Sequence, residues 1–180
     1  GGMTMVPLLT FVFTRQGLPP EHVVQIAIAT ATATILFTST ASVREHQRHH
    51  AILWSVVAGM APGLIIGSLV GPLIVGAMST PVVSGFFAVF VAAAATNIWI
   101  DRQPKPTHRL PGRGGFIAVG AVISVISSML GAGGASLTVP FMAACNVPMR
   151  NCVATAAAIG LPVAATATAG FIIAGLRETG

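Results

Sequence analysis

Apolar residues in this chain gather into long uncharged runs, not into the one-faced stripes of a soluble helix or the alternation of a surface strand. Four runs, roughly Val23–Val43, Ala51–Val75, Val82–Ile100 and Val153–Leu176, carry no charge apart from their flanks. Each is close to the ~20 helical residues that cross a ~30 Å hydrocarbon core. A fifth region, Phe116–Cys145, is apolar throughout but interrupted by Gly131, Gly133 and Gly134. The opening run Met3–Phe13 is too short to span and reads as part of a helix. No run shows the two-residue period of a membrane barrel, and a helix satisfies its backbone within one segment, as lipid demands. The pattern predicts an all-α integral membrane protein, a polytopic bundle of about five to six transmembrane segments with one glycine-broken helix.

Composition agrees. Charged residues make up 7% of the chain and hydrophobic ones 54%, with a mean hydropathy of +0.86, whereas a soluble domain carries about 25% charged residues. The charges cluster as Arg44, Glu45 and Arg48, and as Asp101, Arg102, Lys105, Arg109 and Arg113. The net charge of +5 therefore reads as a basic rim beside membrane lipid, with no nucleic-acid partner implied. The positive-inside rule puts the basic loops 44–50 and 101–113 in the cytoplasm of a multi-pass protein of the inner or plasma membrane. Arg15–Glu21 and Asn146–Asn151 then face outward, provided Phe116–Cys145 makes one net crossing; a span plus a half-helix that turns back is the alternative. The chain opens Gly1-Gly2-Met3 without a charged leader and closes just past a hydrophobic run, so the expectation is an internal fragment of a longer protein.

The chain also resembles itself. Gly1-Gly2-Met3-Thr4-Met5-Val6-Pro7 matches Gly134-Ala135-Ser136-Leu137-Thr138-Val139-Pro140. Each copy continues through an apolar stretch into a proline turn, at Gly17–Pro20 and Asn146–Met149, and then enters an Ala/Thr-rich span. The expected organisation is residues 1–111 as a first repeat lacking its beginning and 112–180 as the start of a second. Matched points fall four crossings apart on this reading. An even count gives copies of equal orientation related by an axis along the membrane normal, and an odd count would invert them.

The run Gly131-Ala132-Gly133-Gly134-Ala135-Ser136-Leu137-Thr138-Val139-Pro140 resembles the glycine-rich signature of the sulfite exporter TauE/SafE family of membrane permeases. That resemblance covers essentially the whole chain. It departs at Ala135, where a third consecutive glycine is common, and at Gln25-Ile26-Ala27 and Ala154-Thr155-Ala156, where a Gly-Thr-Ser step is frequent. It implies a permease exporting sulfite, an organosulfonate or another sulfur oxyanion.

The glycine cluster has a physical reading of its own. Each glycine costs a helix about 1 kcal/mol relative to alanine, and Pro140 removes a donor, so an unbroken helix is not expected here. Unwound backbone at membrane depth must be buried in protein or line a wet cavity. Its free N–H groups, with the positive end of a half-helix starting near Ala135, suit an anion. The candidate substrate-binding residues are thus Gly131, Gly133, Gly134, Ser136, Thr138 and Pro140, with Gly1, Gly2, Thr4 and Pro7 of the first copy meeting them near mid-membrane. Close helix packing by small residues fits the same glycines.

Gly59, Gly63, Gly67 and Gly71 recur every four residues and form one smooth ridge along a helix, suited to helix contact within a subunit or across a homo-oligomer. Thr30, Thr34 and Thr38 form a second stripe, serving either a polar pathway or back-bonding to their own helix. His46, His49 and His50 have only Glu45 beside them, so no metal site is assigned. Cys145 and Cys152 are free thiols or a disulfide. No acid or base lies well inside a span, which speaks against proton relays and against an enzyme, and no cofactor is expected. A secondary transporter for a small anion is the leading function, with a non-transporting membrane scaffold as the alternative.

Overall fold

The computed structural model describes residues 2–99 and 112–178. Seven helices occupy them: α1 (Gly2–Arg15), α2 (Val23–Arg48), α3 (Trp54–Ala77), α4 (Thr80–Trp99), α5 (Arg113–Leu130), α6 (Ala135–Ala144) and α7 (Met149–Glu178). Among the described residues there is no strand, so the fold is all-helical. Three helices, α2, α3 and α7, are long and apolar enough to cross a membrane. α1, α5 and α6 are shorter apolar helices. Gly1 and the charged stretch 100–111, which includes Asp101, Arg102, Lys105 and Arg109, lie outside the described residues.

Contacts along the helices fix their directions. α3 and α7 run parallel: the Leu53 N–H donates to Thr155 Oγ1 at 3.0 Å, Ser68 meets Thr166, and Gly170 sits on Pro72. α2 and α7 run antiparallel: Arg150 Nη2 donates to the His49 carbonyl at 3.1 Å and Gly160 lies beside Ser39. Further along, Phe171 and Ala174 line a cavity of about 120 Å³ together with His22, Gln25 and Ile26. One end of the bundle thus gathers Arg44–His50 and the α6–α7 turn. The other gathers the α1–α2 and α3–α4 turns, where Gln25 Nε2 donates to the Met78 carbonyl at 3.1 Å and Thr80 donates to the Glu21 carbonyl.

α5 starts at the basic end and runs parallel to α3, Phe116 lying on Gly59 and Ser128 on Gly71. Gly131 then caps α5 in the left-handed region at φ 60°, and Gly133 and Gly134 follow at φ 64° and 81°. Three such residues reverse the chain, because only glycine holds positive φ in this way without strain. α6 therefore heads back, and its Met142 joins Ala51, Ile52, Val56 and Cys152 in one core cluster near the basic end. At 1.5 Å per residue α5 is about 27 Å long and α6 about 15 Å, so the pair forms a hairpin with its tip inside the bundle.

This reversal corrects two expectations. The stretch Phe116–Cys145 runs along the bundle and back, so Asn146–Asn151 lies at the same end as Arg44–His50, where Arg150 reaches His49. The matched segments α1–α2 and α6–α7 consequently run in opposite directions, which relates them by an axis across the bundle. The equal orientation expected of the two copies requires α5–α6 to pass the bundle from end to end, and the reversal at Gly131–Gly134 removes that passage. The Arg44–His50 segment is also helical as far as Arg48. There Glu45 pairs with Arg48 at 3.5 Å and with His49 at 3.3 Å on the exposed surface.

The glycine ridge of α3 lies against α5. A methyl placed on Gly63 would collide with the Ile117 carbonyl, on Gly67 with Ser124 Oγ and the Ala121 carbonyl, and on Gly71 with Ser128 Oγ. α5 reciprocates, since a methyl on Gly120 would stand 2.8 Å from the Met60 carbonyl. Backbone thus meets backbone along both helices, the approach that small residues permit. Pro62 and Pro72 both fall inside the continuous α3. Each threonine of the α2 stripe turns its hydroxyl back: Thr30 to the Ile26 carbonyl at 2.8 Å, Thr34 to Thr30 at 2.9 Å, and Thr38 to Ile35 at 3.2 Å. Cys145 and Cys152 are buried free thiols.

Candidate functional site at the α5–α6 break

The segment Gly131–Gly134 sits between three neighbours. Gly2 at the start of α1 packs on the Gly131 carbonyl and Ala132 so closely that a methyl there would collide. From α2, the Ile28 carbonyl stands 3.3 Å from where a Gly131 side chain would begin, and Ile35 lies 3.1 Å from the same position at Gly133. From α7, Gly160 brings its backbone to the Gly133 carbonyl, and a methyl there would come within 2.9 Å of that oxygen. Two glycines on separate helices, Gly2 and Gly160, therefore admit the broken backbone.

The break leaves polar groups without partners. α5 closes neatly, its Ser127 carbonyl accepting from the Ala132 N–H at 3.0 Å. α6 opens less completely, as every helix start does. Gly134 is its N-cap and offers no side chain; Leu137 and Thr138 N–H groups bond the Gly134 carbonyl at 3.3 and 3.0 Å. The N–H groups of Gly133, Gly134, Ala135 and Ser136 make no backbone hydrogen bond of ordinary geometry among the described residues. Buried hydroxyls add to them: Thr138 is 0% exposed, and neither its Oγ1 nor Ser136 Oγ has a hydrogen-bond partner among the described residues. Thr138 Oγ1 stands 4.0 Å from where a Gly134 side chain would start, so it points back over the first turn, as helical side chains do.

Buried polar groups without partners are rare in folded proteins, and each has a cause. Here donors converge at the positive end of a helix. No Asp, Glu, Lys or Arg occurs between Arg113 and Arg150, so the local potential comes from backbone and hydroxyl dipoles. Such a set suits an anion that can be met by neutral donors.

The structure brings together only some of the residues assigned from sequence. Gly2, Gly131, Gly133, Gly134, Ser136 and Thr138 share this region. Thr4 and Pro7 are exposed on the outer face of α1, and Pro140 is exposed within α6 instead of marking its break. Proline at position 140 still matters, since it lacks the N–H that would bond the Ser136 carbonyl. Ser127 was missed, although Ser124, Ser127 and Ser128 precede the glycines on an otherwise apolar helix. Gly160 was missed too, being one small residue in an alanine-rich span.

The family model for the sulfite exporter TauE/SafE matches residues 1–179. The chain belongs to the sulfite exporter TauE/SafE family. Its similarity to curated proteins runs the same way. A probable membrane transporter protein of Haemophilus influenzae is 26% identical over 177 residues, covering 97% of this chain and 67% of its own length. One of Methanocaldococcus jannaschii is 26% identical over 160 residues, 86% of this chain and 58% of its own. One of Bacillus subtilis is 24% identical over 165 residues, 79% and 59%. The chain thus spans 58 to 67% of the length of these relatives. No solved structure matches it. Family membership and the apolar helices together make this a membrane protein.

Proposed function

We propose that this chain forms the anion-binding part of a secondary transporter that exports sulfite, an organosulfonate or a related sulfur oxyanion. The reading is carried by one observation, the buried and unpartnered Thr138 hydroxyl above the open N-terminus of α6. Family membership and the relatives' names support transport, and the family name supports a sulfur oxyanion. In this scheme α2, α3, α4 and α7 cross the membrane while α1 and the α5–α6 hairpin enter it partway, giving six embedded segments. The basic loops 44–50 and 101–113 face the cytoplasm by the positive-inside rule, and Asn146–Asn151 faces it with them. α1–α2 and α6–α7 act as inverted halves of two repeats whose glycine motifs meet at the substrate, an arrangement common among secondary carriers.

Sulfite efflux from vesicles containing the full-length protein, normalised to inserted protein, tests the function. Saturable efflux that is lost in Gly134→Val is the expected result; efflux no faster than from empty vesicles removes the proposal. Single cysteines at positions 48 and 150 test the topology, and both are expected to react only from the cytoplasmic side. Labelling of the two from opposite sides would mean that α5–α6 crosses the membrane.

A further inference from the structure

Among the described residues, the buried side-chain oxygens and nitrogens that lack any hydrogen-bond partner are Ser127 Oγ, Ser136 Oγ and Thr138 Oγ1. All three flank Gly131–Gly134. Two belong to the glycine signature; Ser127 does not, for it sits one turn earlier, on α5. It is 0% exposed. A serine inside an apolar helix ordinarily returns its hydroxyl to a carbonyl three or four residues back. Ser128 does so, donating to the Val125 carbonyl at 3.0 Å, and Ser124 donates to the Ala121 carbonyl at 3.1 Å. Ser127 leaves that bond unmade although it is fully buried.

Its position on the helix gives the direction. Ser124 and Ser128 lie on the side of α5 that packs on the α3 ridge. Ser127 lies one turn past Ile123 on the same face. Ile123 belongs to the core cluster that also holds Met60 and Leu64 of α3, Met142 of α6 and Ile159 and Val163 of α7. Ser127 therefore lies on a buried face of α5, between the side of Ile123 and the side that packs on α3. Its carbonyl also anchors the break by accepting from the Ala132 N–H at 3.0 Å.

We infer that Ser127 contacts the anion, donating its hydroxyl from α5 while Ser136, Thr138 and the free N–H groups donate from α6. The inference rests on the anion-site reading above and adds a specificity to it. Donors on two separate arms match an anion with several oxygens pointing in different directions. A monatomic halide presents no separate oxygen to each arm and can be held by the α6 donors alone. Ser127 is then a specificity-determining residue for polyatomic oxyanions.

The test uses the full-length protein in detergent, with sulfite, methanesulfonate and chloride as probes in calorimetric titrations, and thermal unfolding without anion. Ser127→Ala is expected to weaken sulfite and methanesulfonate binding about tenfold or more, the usual scale for a hydrogen bond to a charged group. Its unliganded melting temperature is expected to stay level or rise, because alanine removes a buried hydroxyl that has no protein partner. A serine with a merely structural role gives the reverse, a lower melting temperature with unchanged affinity, and that result overturns the inference. Ser127→Cys keeps the size and loses most of the donor strength, and it carries the same comparison if the alanine variant is poorly recovered. Gly134→Val separates the two levels of the argument. Weakened binding there with unchanged affinity in Ser127→Ala leaves the anion site standing and overturns the role of Ser127. Unchanged affinity in both, or no binding of sulfite or methanesulfonate by the unaltered protein, overturns both. Chloride bound as tightly as sulfite overturns the specificity.

Discussion

Along α3, Gly63, Gly67 and Gly71 keep helical backbone and give up only a side chain, whereas Gly131, Gly133 and Gly134 stand at φ values of 60°, 64° and 81°. Both stretches are glycine-rich and both touch α5. In the ridge, every backbone group stays inside a helix, and the absent side chains let α5 approach until carbonyls and serine hydroxyls fill the space. In the break, the backbone leaves the helix, the chain reverses, and N–H groups and hydroxyls lose their protein partners. One stretch is about distance and the other about direction. A substitution therefore damages each for a different reason, by volume in the ridge and by dihedral angle in the break.

The largest expected effect is in the ridge. Gly67→Leu pushes against both the Ala121 carbonyl and Ser124 Oγ, and backbone cannot yield as a side chain can. Overpacking of this kind costs about 1–3 kcal/mol or more, so the variant is expected to lose its monodisperse peak in detergent and most of its melting transition. A wild-type profile would mean that α3 and α5 do not pack this way.

Next comes the break. Gly134→Val forces a β-branched residue to φ 81°, where an L side chain is strained by roughly 1–2 kcal/mol. Transport is expected to fall to background while insertion persists, since hydrophobicity hardly changes. Gly134→Asn is expected to retain more transport, because asparagine visits the left-handed region. Equal loss in both would show that volume matters here as well, and the contrast between the two stretches would weaken.

Thr138→Val is expected to act more gently, raising the half-saturating sulfite concentration about tenfold through one lost hydrogen bond to a charged ligand. Its stability is expected to be unchanged, for the hydroxyl has no partner in the protein. A fall in stability without a change in saturation would assign Thr138 to packing.

Gly59→Ala closes the series. The added methyl would first meet the Phe116 side chain, at 3.3 Å, and alanine favours the helix by up to about 1 kcal/mol. The melting temperature is expected to hold or rise slightly. A loss comparable to that of Gly67→Leu would mean that the ridge is equally tight along its whole length.

The runs of apolar residues were enough to determine an all-helical membrane protein, because lipid leaves the backbone few alternatives. They also located the ridge and the break, since four-residue spacing and clustered glycine have direct consequences for a helix. The glycine signature carried the family. What the sequence did not carry was direction. A thirty-residue apolar stretch reads alike whether it crosses or turns back, and the choice lies in the left-handed dihedrals of Gly131, Gly133 and Gly134, together with the backbone contacts that Gly2 and Gly160 permit. From that reversal follow the shared end of Arg150 and His49, the opposed directions of α1–α2 and α6–α7, and the outward turn of Thr4. Partner choice was hidden for the same reason: Ser124, Ser127 and Ser128 are chemically identical in the sequence, and only packing leaves the hydroxyl of Ser127 unbonded. Composition selects the solvent and the secondary structure, while hydrogen-bond partners depend on which helices meet, and that is decided in three dimensions.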